Sequence, residues 1–578
     1  MHDELATPTL RPQELLERLG VDGALRDVRA VAPGAAWFRR RDLVAIVEGT
    51  LDLDDHGVRV QVGLKADFPA SLPVVSVAPA SSLAELPHVE LDGAICYRPQ
   101  DEPLLDRDNP RGIVHEALAL AANTLRSVLH GDLAGQFASE IVAYWAKHHP
   151  KARTILGVVE PDDRPRILTA FLDRGELIAA ADSPDAFAAF RHARNVDHLS
   201  FANALYVPID PAGIDPSFHP RRVASVEGLQ AYVLPTLKRD RVLWREIEQH
   251  CRSREILVVL GVERKGERRG LVGLLVRRHA NGHPLDLGVS RITPVHIDPV
   301  DRGYLAPRGG ADVGLSGRKV LVIGCGAVDG HAAVDLARAG VGEIHLMDPE
   351  EFEAANTFRH VCGRVHVGRR KVVGLKLEIE RLLPFVSVKM HPHDVVGWMR
   401  QHPEGFRGFD LVICAIGNPT VEMGVNAAIA TDPMAPPAIF AWLEPFGLGG
   451  HVLVTHVGAE AGCFECLYAR DDGGVLTCRT AFARPGARYT RDMMGCGSQH
   501  MVYGDLDAQR TAGYIARHAL EVLGGRAQGP ALQSWKGDPE VFRRAGFQTT
   551  RRFDLSASET LTPGSDVARS DCPVCTRA

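Results

Sequence analysis

The 578-residue sequence has no excess of basic residues: 66 Lys and Arg stand against 72 Asp and Glu, and the formal net charge is −6. Proteins that bind nucleic acid or anionic membranes usually carry such an excess, so neither partner is expected. The sequence also lacks an apolar run of the roughly 18 residues that a transmembrane helix needs. Its first residues do not resemble a signal peptide, and a cytoplasmic location is predicted.

The sequence also lacks a cysteine pattern typical of a disulfide scaffold. Its 11 cysteines are an odd number scattered over a long chain, whereas disulfide scaffolds are short and dense in cysteine. Two CxxC pairs and two isolated cysteines stand out, and most of the others are expected to be buried as small apolar side chains. Internal repeats and low-complexity tracts are absent, and the length predicts roughly three or four domains.

Hydrophobic patterning predicts a small α+β domain at the start of the chain, within residues 1–150. A helical stretch comes first, and a sheet of short strands is followed by a further helix at about 112–129. The strand-like runs are 43–53, 58–64 and 74–77.

Residues 151–310 are interpreted as an α/β linker domain because they contain no chemical motif. Helices are predicted at 164–180 and 240–252, and apolar strands at 256–260 and 271–276. From residue 311 to the end the pattern changes to buried strands that alternate with helices. That order predicts a parallel, doubly wound Rossmann-like sheet.

A glycine-rich turn follows the first strand of this third domain and opens a helix, with Gly324 and Gly326 at its start. Such a turn lets the backbone approach a phosphate, which the helix N-terminus then attracts. Asp348 ends the next strand, where a carboxylate accepts hydrogen bonds from ribose hydroxyls. Asp329 occupies the place of the third glycine, and an acid beside phosphates is unfavourable unless a cation or an arginine compensates it.

Three downstream residues indicate which nucleotide chemistry is expected. Asn356, Arg359 and Lys371 follow the second strand, and Lys371 opens a helical stretch. A guanidinium and an ammonium aimed at one place suit a triphosphate under attack by a carboxylate, whereas hydride transfer has no need for them. A solvated basic helix start is the structural alternative.

With these residues the third domain resembles the ThiF/MoeB/ubiquitin-activating superfamily, which adenylates the C-terminal carboxylate of small proteins. The resemblance implies that Asp348 binds ribose, that Arg359 and Lys371 act on the phosphates of ATP, and that Asn356 positions the reacting groups. Family members usually carry a magnesium-associated Asp where this sequence has Gly417. Mg²⁺ and a homodimer are further expectations from the resemblance.

Two CxxC pairs, far apart in the chain, predict a structural metal site. Each pair can hold one edge of a tetrahedral Zn²⁺, and together they form a closed four-thiolate site. The alternative is two unrelated buried pairs. The predicted ligands are Cys463, Cys466, Cys572 and Cys575.

Two isolated cysteines are predicted to carry thioesters. Cys496 lies between glycines in a loop before a helix, a setting that exposes a thiol and favours its thiolate; a buried structural cysteine is the alternative. Cys96 ends the run Gly93-Ala94-Ile95-Cys96, which resembles the active-site loop of ubiquitin-conjugating proteins. That family has an Asn at the position of His88, so His88 is predicted to donate the hydrogen bond that stabilises the oxyanion.

The order of these parts resembles that of the bacterial fused conjugating/activating proteins of CBASS anti-phage operons. The resemblance implies ATP-dependent activation of a partner's C-terminus, relay of the acyl group from Cys496 to Cys96, and transfer to an amine on a target. The implied partner is a cGAS-like nucleotidyltransferase or a ubiquitin-like protein. A sulfur-carrier adenylyltransferase, a Rossmann oxidoreductase and a catalytically inactive scaffold of the same fold are the alternatives.

Overall fold

The computed structural model describes the whole chain except residues 1–10, 36, 38–41, 55, 79–82, 84, 85, 91, 99–103, 192–197, 211–217, 252, 279–284, 286–288, 459, 460, 493–498 and 576–578. Its contacts divide the chain into two compact units. The first consists of Met1–Phe187 and Val196–Pro299, and the second of Ala188–Asn195 and Val300–Ala578. The predicted boundary near residue 150 lies inside the first unit, so the division into three domains stays a prediction.

The first unit begins with a four-stranded antiparallel meander in the order β1-β2-β3-β4. The three predicted strands and the long helix after them are confirmed. The first strand was not predicted, because its side chains are mostly exposed and show no apolar alternation. The elements are α1 (Pro12–Val21), β1 (Arg26–Ala30), β2 (Leu43–Leu53), β3 (His56–Lys65), β4 (Val74–Val77), α2 (Pro110–His130), α3 (Leu133–Ser139) and α4 (Ile141–His148).

The rest of the first unit is a closed seven-stranded barrel with the strand order β10-β11-β5-β7-β6-β8-β9. Its interior is filled by buried apolar side chains such as Leu168, Ala204 and Val259. The strands are β5 (Arg153–Val158), β6 (Arg166–Asp173), β7 (Glu176–Ala181), β8 (Leu199–Ile209), β9 (Glu255–Arg264), β10 (Glu267–Arg278) and β11 (Val289–Pro299). The helices are α6 (Pro220–Val223), α7 (Val226–Gly228), α8 (Leu234–Arg239) and α9 (Arg241–His250), together with the start of α5 (Pro184–Arg191), whose residues after Phe187 belong to the second unit.

The predicted helix at 164–180 is wrong, because these residues form the β6–β7 hairpin. Asp173 pairs with Glu176, so only two residues make the turn. Arg174 and Gly175 both have positive φ, at 49° and 82°, which is the backbone of a type I′ hairpin turn. The predicted helix at 240–252 and both predicted strands of this region are confirmed.

The second unit is built on an eight-stranded sheet in the order β14-β13-β12-β15-β16-β17-β22-β23. The first five strands are parallel, as predicted, and the last three add antiparallel pairs that the sequence did not reveal. The sheet strands are β12 (Lys319–Ile323), β13 (Glu343–Met347), β14 (Ser387–His391), β15 (Leu411–Cys414), β16 (Ala438–Leu443), β17 (Gly449–Thr455), β22 (Ala531–Lys536) and β23 (Glu559–Pro563). Two small hairpins are β18 (Tyr468–Arg470) with β19 (Leu476–Cys478), and β20 (Thr490–Asp492) with β21 (Gln499–Met501).

Helices cover both faces of this sheet, and each face has its own apolar core. Helices α11, α12 and α15 pack on one face, while α13 and α14 pack on the other. The helices are α10 (Arg302–Arg308), α11 (Ala327–Arg338), α12 (Lys371–Leu382), α13 (Val395–Gln401), α14 (Pro419–Ala430), α15 (Asp505–Leu523), α16 (Glu540–Arg544), α17 (Arg551–Leu555) and α18 (Gly564–Val567). Among the described residues, no helix combines the length and apolarity required to cross a membrane.

Candidate active sites and metal centre

One cavity of about 690 Å³ lies at the carboxyl ends of the parallel strands of the second unit. Neighbouring strands β12 and β15 lead their chains to opposite sides of the sheet, and the crevice at such a reversal is where doubly wound sheets bind ligands. The cavity wall includes every nucleotide-site residue that the sequence predicted. They are Gly324, Gly326, Asp348, Asn356, Arg359 and Lys371.

The glycine-rich turn after β12 has the backbone that a phosphate loop requires. Gly324 has φ of +101°, a conformation that favours glycine. Asp348 fixes this turn from the next strand, because its Oδ2 accepts the N–H of Cys325 at 2.7 Å and its Oδ1 accepts the N–H of Glu350 at 2.7 Å. Burial raises the pKa of Asp348, while these two backbone donors act in the opposite direction.

Lys371 is the buried cation of the cavity and opens α12, as predicted. Its Nζ lies 2.5 Å from the Glu350 carboxylate. Burial by itself lowers the pKa of Lys371, but the hydrogen bond to Glu350 and the charge of Asp348 outweigh burial, so the pKa lies above its ordinary value. Lys371 is therefore positively charged at neutral pH and can neutralise phosphate.

Arg359 and Asn356 stand on the wall of the same cavity and are half-buried. The Arg359 guanidinium donates to the Met501 carbonyl at 3.3 Å and lies 4.9 Å from the centre of the Tyr503 ring. The Asn356 side chain accepts the N–H of Glu353 at 3.0 Å, which orders the short turn that carries it. The structure thus brings together all six predicted nucleotide-site residues.

Two buried acids in the cavity wall complete the site, and Glu422 was missed by the sequence analysis. Asp329 and Glu422 are each 1% exposed. Glu422 on α14 accepts the N–H of Gly417 at 3.0 Å, and burial raises its pKa to about 7. Gly417 itself lines the cavity with φ of +71° and has nothing within 4 Å of the place of a Cβ. Glu422 follows the buried strand β15 closely and lies in the first turn of α14, and this position in the sequence could have indicated it.

His360 is a further buried residue of the cavity wall that sequence reasoning missed. Its Nε2 lies 2.6 Å from the Cys325 carbonyl, and its Nδ1 accepts the N–H of Cys362 at 3.0 Å. This pair of contacts fixes a neutral ring with the proton on Nε2. Burial lowers the pKa of His360 to about 4, in agreement with a neutral side chain that supports the phosphate loop.

The four predicted metal ligands meet in one cluster, with all four sulfur atoms within 4.8 Å of one another. The Sγ of Cys463 lies 3.9 Å from that of Cys466 and 3.6 Å from that of Cys572, and Cys466 lies 3.6 Å from Cys575. Tetrahedral Zn²⁺ with Zn–S bonds of about 2.3 Å needs sulfur atoms about 3.8 Å apart. The cysteine cluster fits a structural zinc ion.

In the first unit, Cys96 is exposed at the end of a loop that is held against β4. The N–H of Ile95 donates to the Val75 carbonyl at 2.8 Å, which buries the Ile95 side chain. The N–H of Cys96 donates to the His88 carbonyl at 2.7 Å. The loop therefore presents the thiol to solvent on a fixed backbone.

His88, predicted to stabilise an oxyanion, contacts Tyr144 and Glu140 in the structure. His88 has φ of +61°, its N–H donates to the Tyr144 hydroxyl, and its ring Nδ1 lies 3.3 Å from the Glu140 carboxylate. The ring is thus held by an acid that the sequence analysis did not single out. Stabilisation of an oxyanion by His88 stays a prediction.

Helix α4 supports the Cys96 loop through residues spaced along one helical face, which was the signal available in the sequence. Besides Tyr144, the Lys147 ammonium donates to the Val89 carbonyl at 2.6 Å and lies 3.2 Å from Glu90. The opposite side of the helix is fixed by Trp145, 1% exposed, whose indole N–H donates to the Val295 carbonyl of β11 at 3.0 Å.

Cys496 lies outside the described residues, so its predicted role is untested. The two strands that flank it, β20 and β21, pair with each other. Met501, five residues after Cys496 in the sequence, lies in the cavity wall.

Two family models match this chain. The model described as the ThiF family matches residues 311–548, and the one described as prokaryotic E2 family B matches residues 40–154. The chain joins an E2-like domain to a ThiF domain. Both resemblances drawn from the sequence are thereby confirmed, and the chain is an enzyme of the ubiquitin-like activating and conjugating class.

The curated relatives include one protein that is similar over most of this chain and others that are similar over part of it. The ATP-dependent ubiquitin transferase-like protein Cap2 of Pseudomonas aeruginosa is 23% identical over 455 residues, or 75% of this chain and 79% of that protein. The sulfur carrier protein ThiS adenylyltransferase of Escherichia coli is 27% identical over 177 residues, or 29% of this chain and 68% of that protein. The structure of MccB from E. coli covers 45% of this chain and 67% of its own at 18% identity, with a TM-score of only 0.33.

The charges around Cys96 give a testable prediction about its thiol. Although Cys96 is exposed, partial desolvation of its thiol by the loop raises its pKa, the charges of Glu140 and Glu90 raise it further, and Lys147 lowers it. We expect Glu140→Gln to lower this pKa and Lys147→Met to raise it, since the thiolate is the reactive form. The measurement is the pH dependence of iodoacetamide modification, read by mass spectrometry on the Cys96 peptide.

Glu116→Gln is the matched control, because this exposed acid pairs with Arg98 and is not among the groups that shift the pKa of Cys96. Its profile should superimpose on that of the wild type. Equal shifts in the same direction for the Glu140 and Lys147 variants would contradict the electrostatic account and point to a rearranged loop.

Proposed function

We propose that this protein activates the C-terminal carboxylate of a partner protein with ATP and conjugates it to an amine on a target. The observation that carries the proposal is the single cavity in which Asp348, Arg359 and Lys371 meet at the phosphate loop. A nucleotide-binding loop alone would serve many reactions, whereas these two added cations suit transfer at a phosphate.

The first step is adenylation. A carboxylate oxygen of the partner attacks the α-phosphorus of ATP, the bond to the bridging oxygen breaks, and pyrophosphate leaves with its electron pair. Lys371 and Arg359, both in the cavity wall, would stabilise the growing negative charge on the leaving group. Asp348 would hold the ribose, and Asn356 would position the reacting groups.

The later steps are acyl transfers between sulfur atoms. The Cys496 thiolate attacks the acyl carbon and expels AMP, and the Cys96 thiolate then displaces Cys496 by thioester exchange. An amine on the target attacks the Cys96 thioester, loses its proton to a base, and releases the thiolate. His88, held by Glu140, is the base or hydrogen-bond donor that we assign to this last step. No further ATP is needed, because each thioester keeps the acyl group activated.

One kind of partner follows from the resemblance noted in the sequence. Cap2 is named as an ATP-dependent ubiquitin transferase-like protein. The resemblance to the fused conjugating/activating proteins of CBASS operons implies a cGAS-like nucleotidyltransferase. We propose such a nucleotidyltransferase as the protein that is conjugated, in anti-phage signalling. Reduced thiols and ATP indicate the cytoplasm as the place of action, and the superfamily habit of pairing adenylation domains indicates a homodimer.

A sulfur-carrier adenylyltransferase is the second candidate, supported by the similarity to the ThiS adenylyltransferase. That activity would use the same cavity but leaves the exposed Cys96 and the whole E2-like domain without a role. A catalytically inactive scaffold would bind no ATP.

Exchange of radiolabelled pyrophosphate into ATP, dependent on the partner's intact C-terminus, is the direct test of adenylation. We expect Lys371→Met to reduce the exchange rate by about 100-fold, since it removes a buried charge that acts on the phosphates. Lys389→Met is the control, because Lys389 is exposed on β14 and does not line the cavity. Equal rates in both variants would argue against the proposed role of Lys371.

The thioester relay predicts a set of adducts on a non-reducing gel with ATP and the partner. Cys496→Ala should abolish both enzyme adducts, while Cys96→Ala should retain the Cys496 adduct and lose conjugation. The adducts should disappear on treatment with thiol, because thioesters exchange with free thiolates. If Cys96→Ala conjugates as the wild type does, the relay is wrong and the sulfur-carrier alternative gains support.

We also propose that the cysteine cluster holds one structural Zn²⁺. Four thiolates leave no open coordination position, so the ion would bind the C-terminal segment to the domain rather than take part in the reaction. The segment is also held by Arg479, whose guanidinium donates to the Cys466 carbonyl at 3.0 Å and the Val567 carbonyl at 3.2 Å. Arg479 thus joins the two halves of the site.

Metal analysis of the purified protein should find about one zinc per chain. Cys572→Ser should lose that zinc and lower the melting temperature, since structural zinc contributes directly to folding. Cys96→Ala is the control, because its thiol lies outside the cluster and its zinc content should be unchanged. A wild-type protein free of zinc after purification without chelators would refute this proposal.

A further inference from the structure

Asp329 is a buried acid beside the phosphate loop, and one of its two carboxylate oxygens is unsatisfied. It stands in the first turn of α11 and is 1% exposed, and its Oδ1 has no hydrogen-bond partner among the described residues. Its Oδ2 lies so close to Gly324 that a Cβ there would be 2.5 Å away. Burial raises the pKa of Asp329 well above its ordinary value, and the charges of Asp348 and Glu422 raise it further.

The simplest structural explanation for Asp329 is a helix-dipole contact, and it does not account for the burial. An acid in the first turn of a helix gains only a small stabilisation from the helix dipole. Leaving one buried carboxylate oxygen unpaired costs more than that, above all when the group is charged. The cost exceeds the gain, so a ligand that pairs with this oxygen is the better explanation.

Glu422 brings a second buried carboxylate to the same end of the cavity. It lies on α14, which follows β15, while Asp329 lies on α11, which follows the neighbouring β12. The two chain segments touch, because the side chain of Ile416 would lie 3.0 Å from a Cβ at Gly324, and Glu422 binds the N–H of Gly417. Each acid is therefore anchored beside the crevice between these two strands.

The charges in the cavity wall do not balance for an anionic ligand. The wall holds two cations, Lys371 and Arg359, against five acids: Asp329, Asp348, Glu350, Asp394 and Glu422. A nucleoside triphosphate adds about four negative charges, and each close pair of like charges in a partly buried site costs several kcal/mol. Phosphate can enter only if the acids are neutralised or paired with a further positive charge.

We propose that Asp329 is a protein ligand for a divalent cation that enters the cavity with the nucleotide, and that Glu422 supplies the second carboxylate of this site. The proposal rests on the nucleotide binding proposed above. Within the described residues, three or more ligand atoms converge only in the cysteine cluster. The remaining ligands would be phosphate oxygens and water, the usual pattern for Mg²⁺, which takes one or two carboxylates beside substrate phosphates.

The test is calorimetric titration of the full chain with α,β-methylene-ATP, with and without Mg²⁺ and with no chelator, so that the cysteine cluster is undisturbed. We expect Mg²⁺ to tighten binding to the wild type by about tenfold, the gain typical of one charge-assisted contact. Asp329→Asn should lose this gain while it still binds the metal-free nucleotide. Glu422→Gln should lose part of it.

Asp335→Asn is the matched control, because Asp335 lies on the same helix and outside the cavity, and its Mg²⁺ gain should equal that of the wild type. A second variant tests rescue. Gly417 lines the cavity and has open space around the place of a Cβ, and Asp tolerates a positive φ better than most residues. Gly417→Asp added to Asp329→Asn should restore the Mg²⁺ gain.

The outcomes separate this inference from the proposed function. A wild-type protein that binds no nucleotide in either condition contradicts the proposed function itself. A Mg²⁺ gain that persists in Asp329→Asn overturns the inference and leaves adenylation standing. If Asp329→Asn binds nucleotide in neither condition, restoration by Gly417→Asp supports the cation site, and failure to restore counts against it.

Discussion

The activating domain depends on one geometric constraint, the shared edge at which parallel strands end. Strands β13, β12 and β15 run in the same direction, so Asp348, the glycine turn and the segment before α14 reach one place. Residues far apart in the sequence become neighbours there because their strands end at the same edge, and no separate contact between each pair is needed. The backbone N–H of Cys325 donates to Asp348 and fixes the turn at this edge.

The E2-like domain is under a different constraint. Its exposed thiol lies on a loop that few buried side chains of its own can hold in place. Ile95 anchors the loop in the apolar core, and helix α4 supports it from the side through Tyr144 and Lys147. Trp145 fixes that helix to the barrel, which gives the middle region a structural role in the conjugating site. Glu140, which caps this helix, raises the pKa of Cys96 and Lys147 lowers it, and both act beside the larger effect of burial.

Charge links the fold to the chemistry in both units. In the cavity, burial raises the pKa values of Asp348 and Glu422, while Glu350 and Asp348 keep Lys371 protonated. Because the site holds more acids than bases, a triphosphate would enter it together with a cation or with protons on the acids. The cysteine cluster, by contrast, requires only that its four thiols lie close together. Arg479, which follows β19, helps by donating a hydrogen bond to the Cys466 carbonyl.

The sequence alone determined the motifs whose chemistry is local: the glycine turn, Asp348, Lys371 at a helix start, the two CxxC pairs and the loop of Cys96. It also predicted the parallel strands, because short apolar runs that alternate with helical patterns can be recognised within one segment of the sequence. Only the tertiary structure decided what depends on distant partners. The hairpin at 166–181 replaced a predicted helix because its apolar residues fit a barrel, and Glu422, His360 and Glu140 gained their roles from residues elsewhere in the chain. Hydrophobic periodicity depends on the surroundings of one segment, whereas a functional site forms where the ends of several segments come together.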